Sequence, residues 1–238
     1  MINRAAVIII GALAIGATAR PAHAQQTLNF TIGYFTPRGE DARTEGDILT
    51  NDQRFLTFNI GDFNGPTIGG EWLVPFGEYF EGGAGVSLSR RTVPSVYTCC
   101  TAPGNVEIAQ NLRLRMVPLS FTVRAVPTGQ HSPIQPYVGG GLAVINWRYS
   151  ESGDFVDFGN NRAIFTDSFV GSGNAAGPVA LGGVRFAGDS ATAGFEVRYQ
   201  RAKADLPVSE FASSVNPNPK IDLGGWTYQF TVGMRFGR

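Results

Sequence analysis

Along most of the chain, apolar and polar residues take turns. In GWTYQFTVGMRFGR (225–238) every second side chain from Trp226 to Phe236 is apolar, with Thr227, Gln229, Thr231, Gly233 and Arg235 between them. A period of two marks a β-strand with one apolar and one polar face. The same alternation runs through LNFTIGYF (28–35), TIGGEWLVPF (67–76), YFEGGAGVSLSRR (79–91), PYVGGGLAVINWRY (136–149) and TAGFEVRYQRA (192–202), and more weakly through NAAGPVALGGVRFAG (174–188). In VEIAQNLRLRMVPLSFTVRAVP (106–127), Ile108, Leu112, Leu114 and Met116 share one parity, whereas Leu119, Phe121 and Val123 take the other. That flip predicts a one-residue β-bulge at Pro118, where proline is tolerated.

These segments make eight strands. The connections between them alternate: long over about 36–66, 92–106, 150–173 and 203–221, short near Gly77-Glu78, 127–135 and 188–190. The pattern predicts an all-β fold, an eight-stranded antiparallel up-and-down transmembrane β-barrel with both chain ends on the short-turn side. Its apolar faces are expected to meet lipid. Phe76, Tyr79, Phe80, Tyr137, Phe186 and Phe236 fall near the short turns, and Tyr34, Trp147, Tyr149, Tyr199, Trp226 and Tyr228 near the long loops. Two such aromatic girdles are expected at two membrane interfaces. A soluble barrel would be apolar inside and charged outside. Here the polar face is mostly Gly, Ser, Thr and Gln with scattered Arg and Glu, which suits lumen filling.

The first residues add an address. Met1–Arg4 is basic, AAVIIIGALAIGAT (5–18) is apolar, and Ala22-His23-Ala24 closes the segment. This predicts a cleaved secretory signal peptide over 1–24 and a barrel domain over 25–238; the apolar run falls short of the roughly 20 residues of a spanning helix. Charge excludes little else: 19 basic and 19 acidic residues balance, and loss of Arg4 and Arg20 leaves a mild negative excess, so no nucleic-acid partner is expected. Only Lys203 and Lys220 among the basic residues are lysines. Arginine suits paired or phosphate-facing positions because its fork matches carboxylate and phosphate oxygens.

On the alternation rule, Glu71, Glu81 and Glu196 face the lumen with Arg113, Arg115, Arg124, Arg148, Arg185, Arg198 and Arg235. They read as a polar network that plugs the barrel or as an anion-favouring lining; an eight-stranded interior is only just filled by side chains, which favours the plug. Val138, Leu142 and Val144 share parity with Arg148, and Val179 and Leu181 with Arg185, so part of the lumen reads as apolar. Cys99 and Cys100 lie side by side in a predicted loop, and in an oxidising envelope they read as a strained disulfide, a loop staple rather than a redox switch. Past the signal the lone His131 sits in a predicted short turn, away from any nucleophile, so no enzyme is expected. GGG (139–141) and GSGNAAG (171–177) lack phosphate-loop spacing, so no cofactor is expected. The acids of ESGDFVDFGNN (151–161) do not follow calcium-loop spacing, so no metal is expected; a packed or partner-facing loop is.

The signal, the opening NFTIGYFTPRG (29–39), the alternating segments and the closing strand together resemble the small outer-membrane β-barrels of Gram-negative bacteria, the OmpA transmembrane domain, OmpX and OmpW-like group. The resemblance implies an outer-membrane location, contact with outer-membrane lipid and lipopolysaccharide, and a structural or surface-interaction role. The OmpW-like members imply an alternative, a narrow conduit for small hydrophobic solutes. The group's terminal strand is read by the barrel-assembly machinery; Gly233 and Phe236 match that signal, while Gly237 and Arg238 stand where the final aromatic would be.

Overall fold

The computed structural model describes residues 25–213 and 215–237; the expected signal peptide lies outside them. Eight strands form the wall: β1 (Gln26–Pro37), β2 (Gly65–Pro75), β3 (Phe80–Ala102), β4 (Val106–Ala125), β5 (Ile134–Asp157), β6 (Ala163–Ala187), β7 (Ala191–Gln200) and β10 (Gly225–Phe236). Each pairs antiparallel with its neighbour, and β10 returns to β1 to close the barrel, in register from Gln26↔Phe236 to Pro37↔Gly225. Between β7 and β10, β8 (Lys203–Asp205) and β9 (Lys220–Asp222) pair with each other. Among the described residues there are two short α-helices, α1 (Ile48–Asp52) between β1 and β2 and α2 (Val208–Phe211) between β8 and β9, and 3-10 turns at Glu40–Ala42 and Ile60–Phe63.

The wall is of unequal height. Strands β3 to β6 have 23, 20, 24 and 25 residues, against 12, 11, 10 and 12 for β1, β2, β7 and β10. Two of the four expected long loops, 92–106 and 150–173, are therefore strand for most of their length. They end in tight turns at 103–105 and 158–162, helped by positive φ at Gly104, Asn105, Asn161 and Arg162.

The expected bulge at Pro118 is absent. Val86↔Leu119 and Ser89↔Met116 stay in step on either side of it, and the β4–β5 pairing is continuous from Gln110↔Gly153 to Ala125↔Val138. What changes along β4 is its surroundings. Its even-numbered residues point inward throughout: Ile108, Leu112, Leu114 and Met116 in the upper half, Ser120, Thr122 and Arg124 in the lower, all buried. Its odd-numbered residues point outward, Asn111, Arg113 and Arg115 above and Leu119, Phe121 and Val123 below. The barrel thus has a lower part, apolar outside and polar inside, and an upper part with the reverse arrangement. The same inversion in β5 buries Tyr137, Ala143, Ile145, Trp147 and Tyr149 and turns Val138, Leu142 and Val144 outward, 62%, 64% and 44% exposed. So Val138, Leu142 and Val144 belong to the outer belt and not to an apolar lumen, and Tyr137, Trp147 and Tyr149 leave the expected girdles. Phe76, Tyr79, Phe80, Phe186 and Phe236 remain exposed at the lower edge of the belt, with Tyr34, Trp226 and Tyr228 at the upper. A register shift does occur in the β3–β4 ladder, between Val96 and Thr101, and it carries Cys99 and Cys100.

The upper interior is an apolar core. Leu49 of α1, Leu56, Leu112, Ile145, Tyr149, Ile221 and Leu223 are nearly or wholly buried in one cluster. The 38–64 segment is stitched to the free edge of β3, where Thr57 N–H donates to the Val96 carbonyl and Thr98 N–H to that of Phe55. It caps the low side of the wall together with the 201–224 segment.

The inversion is testable by nitroxide scanning in a background with Cys99 and Cys100 replaced by serine. Labels at 121 and 142 should relax with lipid-soluble oxygen. Labels at 113 and 148 should relax with a water-soluble nickel chelate instead. A further label at 112, buried inward here, would restore the bulge if it relaxed with oxygen.

Candidate functional site

The lower lumen holds a closed set of charges. Alternation within the belt brings Glu71 from β2, Glu81 from β3, Arg124 from β4, Arg185 from β6, and Glu196 and Arg198 from β7 onto the inner face, and five of the six are at most 4% exposed. Register sets Glu81 directly opposite Arg124, and Gln229 of β10 opposite Glu196. The Arg124 guanidinium lies 2.5 Å from Glu71 Oε2, 2.8 Å from Glu196 Oε2 and 3.7 Å from Glu81 Oε1. Arg185 meets Glu81 at 2.9 Å and 3.2 Å. Arg198 bridges Glu71 at 3.1 Å and Glu196 at 2.8 Å. Three arginines and three glutamates leave the set neutral.

Neutral groups complete it. Tyr137 Oη donates to Glu196 at 3.1 Å, and its ring lies 4.9 Å beneath the Arg124 guanidinium. Gln229 donates to Glu196 at 2.9 Å, Arg198 to the Ser120 hydroxyl at 3.0 Å, and Arg185 to Gln135 at 2.6 Å. Glycines make the room: a Cβ at Gly85 would lie 3.3 Å from Glu71 Cβ, and one at Gly183 would meet Tyr137 Cζ at 2.8 Å. Beside the network, a space of about 30 Å³ remains between Thr31, Glu71, Arg198 and Gln229. That is room for two or three waters at roughly 10–15 Å³ each.

The remaining sequence candidates fall elsewhere. Arg113, Arg115 and Arg148 point outward and are exposed, because they sit above the point where the wall's polarity inverts; they are not part of the lumen set. Arg235 stands at the lower mouth, donating to the Gly188 and Gln130 carbonyls. Val179 and Leu181 do face inward and are buried. Gly233 is tucked against Asn29 and Thr192 while Phe236 is outward. Cys99 and Cys100 are joined to each other. His131 is exposed in the β4–β5 turn. Of the acids in 151–161, Asp154 accepts from Thr166 and Asp157 caps the turn through the Gly159 and Asn160 N–H groups. Tyr137, Gln130 and Gln135 are lumen residues that the sequence candidates omit. Gln229 is legible from its polar place between Tyr228 and Phe230 in the closing strand.

A second polar cluster sits above the belt, where α1 enters the barrel. Asp52 of α1, with Tyr149 and Glu151 of β5, is buried, and Tyr149 Oη donates to Asp52 at 3.4 Å. The Asp52 and Glu151 carboxyls are within hydrogen-bonding reach, and burial, the larger cause for each, raises both. Glu151 is pushed up to about 7 and Asp52 well above the usual carboxylate range, Asp52 further by the charge of Glu151. Glu151 Oε1 has no hydrogen-bond partner among the described residues.

No family model and no curated protein matches the chain. Solved structures that it resembles include the N-terminal β-barrel domain of Pseudomonas aeruginosa OprF, at 12% identity over 90% of this chain and 99% of that one, TM-score 0.38. The attachment invasion locus protein Ail of Yersinia pestis, in complex with the heparin analogue sucrose octasulfate, aligns at 7% identity over 90% and 99%, TM-score 0.41. Neisserial surface protein A aligns at 11% identity over 90% and 97%, TM-score 0.39. Superpositions this loose bear no weight on role.

Two outcomes follow from these clusters. Arg124→Met should lower unfolding stability by about 3–5 kcal/mol, the usual cost of leaving buried charges unpartnered, whereas Arg113→Ser on the outer wall should stay within about 0.5 kcal/mol; urea titration in detergent measures both. Glu151, raised in the folded state, gives stability that is complete below the unfolded carboxyl range and lost as pH rises through about 7. Proteolysis of the 38–64 cap should therefore quicken from about pH 5 to pH 8, and Glu151→Gln should flatten that dependence.

Proposed function

We propose that the chain is an outer-membrane β-barrel of a Gram-negative bacterium with a structural or surface-interaction role, its lumen closed by the Glu–Arg network. The observation that carries this reading is the pairing of an outward apolar belt with a buried, neutral charge set inside it. Phe30, Leu142, Phe230 and Met234 are each more than half exposed on the outer wall, and such a belt is costly in water and favourable in lipid. A transmembrane strand needs about 9–11 residues, which the belt supplies in every strand. The upper wall, polar outside, then stands in water, and the 38–64 and 201–224 segments form its surface.

Closure of the lumen follows from size. Eight strands leave space for side chains or one small ligand, whereas aqueous channels use about 16–18. The lumen here is filled by three arginines, each held by at least one carboxylate. Export through a cleaved signal at 1–24, and assembly by the barrel-assembly machinery through Gly233 and Phe236, belong to the same reading.

Planar-bilayer recording of refolded residues 25–238 tests it. The expected result is silence or rare small openings. Stable conductance of porin size would overturn the closed lumen. Small openings blocked by an apolar solute would favour the narrow-conduit alternative.

A further inference from the structure

The outer wall carries what the lumen lacks, arginines without acids. Arg90, Arg115 and Arg148 stand directly opposite one another on β3, β4 and β5, and all three are outward and exposed. Arg113 lies one outward step above Arg115 and donates to Thr92 at 3.0 Å. Like charges at directly paired positions repel, with Cβ atoms about 5 Å apart. The remaining outward neighbours, Leu88, Thr92, Val117, Asn146, Ser150 and Ser172, include no acid. Among the described residues, no ion pair includes any of the three.

The row also has a fixed place. It sits immediately above the apolar belt, on the side away from the chain ends. Beneath Arg90 and Arg115 the outer wall is hollowed into a shallow groove of about 620 Å³, walled by Phe30, Ile68, Val86, Leu88 and Val117, with Gly69 and Gly70 in its lining. Charge at the head of an apolar trough is the complement of an anionic amphiphile.

We propose that Arg90, Arg115 and Arg148 bind the phosphate of a phosphorylated glycolipid in the surrounding leaflet, with an acyl chain lying in the groove below. Guanidinium forks bind phosphate oxygens in pairs, and a dianionic phosphate turns the repulsion of the row into attraction. A free anion would use the row but not the trough. The site rests on the reading of the belt as membrane-embedded.

Refolded residues 25–238 in zwitterionic detergent, titrated with bisphosphoryl lipid A, test the site. Heat-modifiable migration and insertion into lipid vesicles are checked first. Lipid A should raise Tm in a saturable way. The triple variant R90S/R115S/R148S, which removes only exposed side chains, should fold and need at least about tenfold more lipid A for the same shift, consistent with loss of about 1.4 kcal/mol or more. Inorganic phosphate at equal concentration should give no shift. An unchanged lipid A response in the triple variant, or an equal response to inorganic phosphate, would overturn the proposal. A chain that inserts but ignores lipid A would sink the site alone; a chain that does not insert would sink the membrane reading and the site with it.

Discussion

A narrow barrel gives each side chain two destinations, and the medium outside decides what must fill the inside. Where the outer face is apolar, the inner face holds Glu71, Glu81, Arg124, Arg185, Glu196 and Arg198; where the outer face carries Asn111, Arg113 and Arg148, the inner face holds Leu112, Ile145 and Trp147. The backbone register runs straight through this change. One continuous sheet therefore serves as a lipid-type wall below and a water-type wall above. The apolar upper interior is what draws Leu49 and Ile221 of the connecting segments inward, so the cap is a consequence of the inversion.

The lower lumen illustrates how buried charge is made tolerable. Ionic groups away from water cost several kcal/mol each unless partners and hydrogen bonds satisfy them. Arg124 has carboxylates on three sides and a tyrosine ring beneath it. Glycines on neighbouring strands give those long side chains somewhere to lie. Gly85 leaves the space that Glu71 occupies, and Gly183 the space of the Tyr137 ring.

Alternation was readable residue by residue, and so were the strand number, the closure and the short turns. Direction was not. A period of two separates two faces without saying which is inward, and the rule that apolar faces outward holds only in the belt. Applied above it, that rule turned Arg113, Arg115 and Arg148 into lumen residues, put Trp147 and Tyr149 in a girdle, and made Pro118 a bulge. It also hid the upper strands: 92–106 and 150–173 read as loops because their apolar face points in. Asp52 and Glu151 lie 99 positions apart in sequence, and only the docking of α1 into the barrel brings them together.

The neutrality of the lumen set has an evolutionary consequence. A chance replacement of any one of its arginines or glutamates strands a charge in a closed space, and a second replacement must arrive before the first is tolerated. These positions are expected to change in compensating pairs, locked together across strands far apart in the gene. The outer belt needs only some apolar residue at each site, so it is free to drift. Two lineages of this barrel would then share little sequence on the face that touches lipid while keeping the same hidden arithmetic of charge.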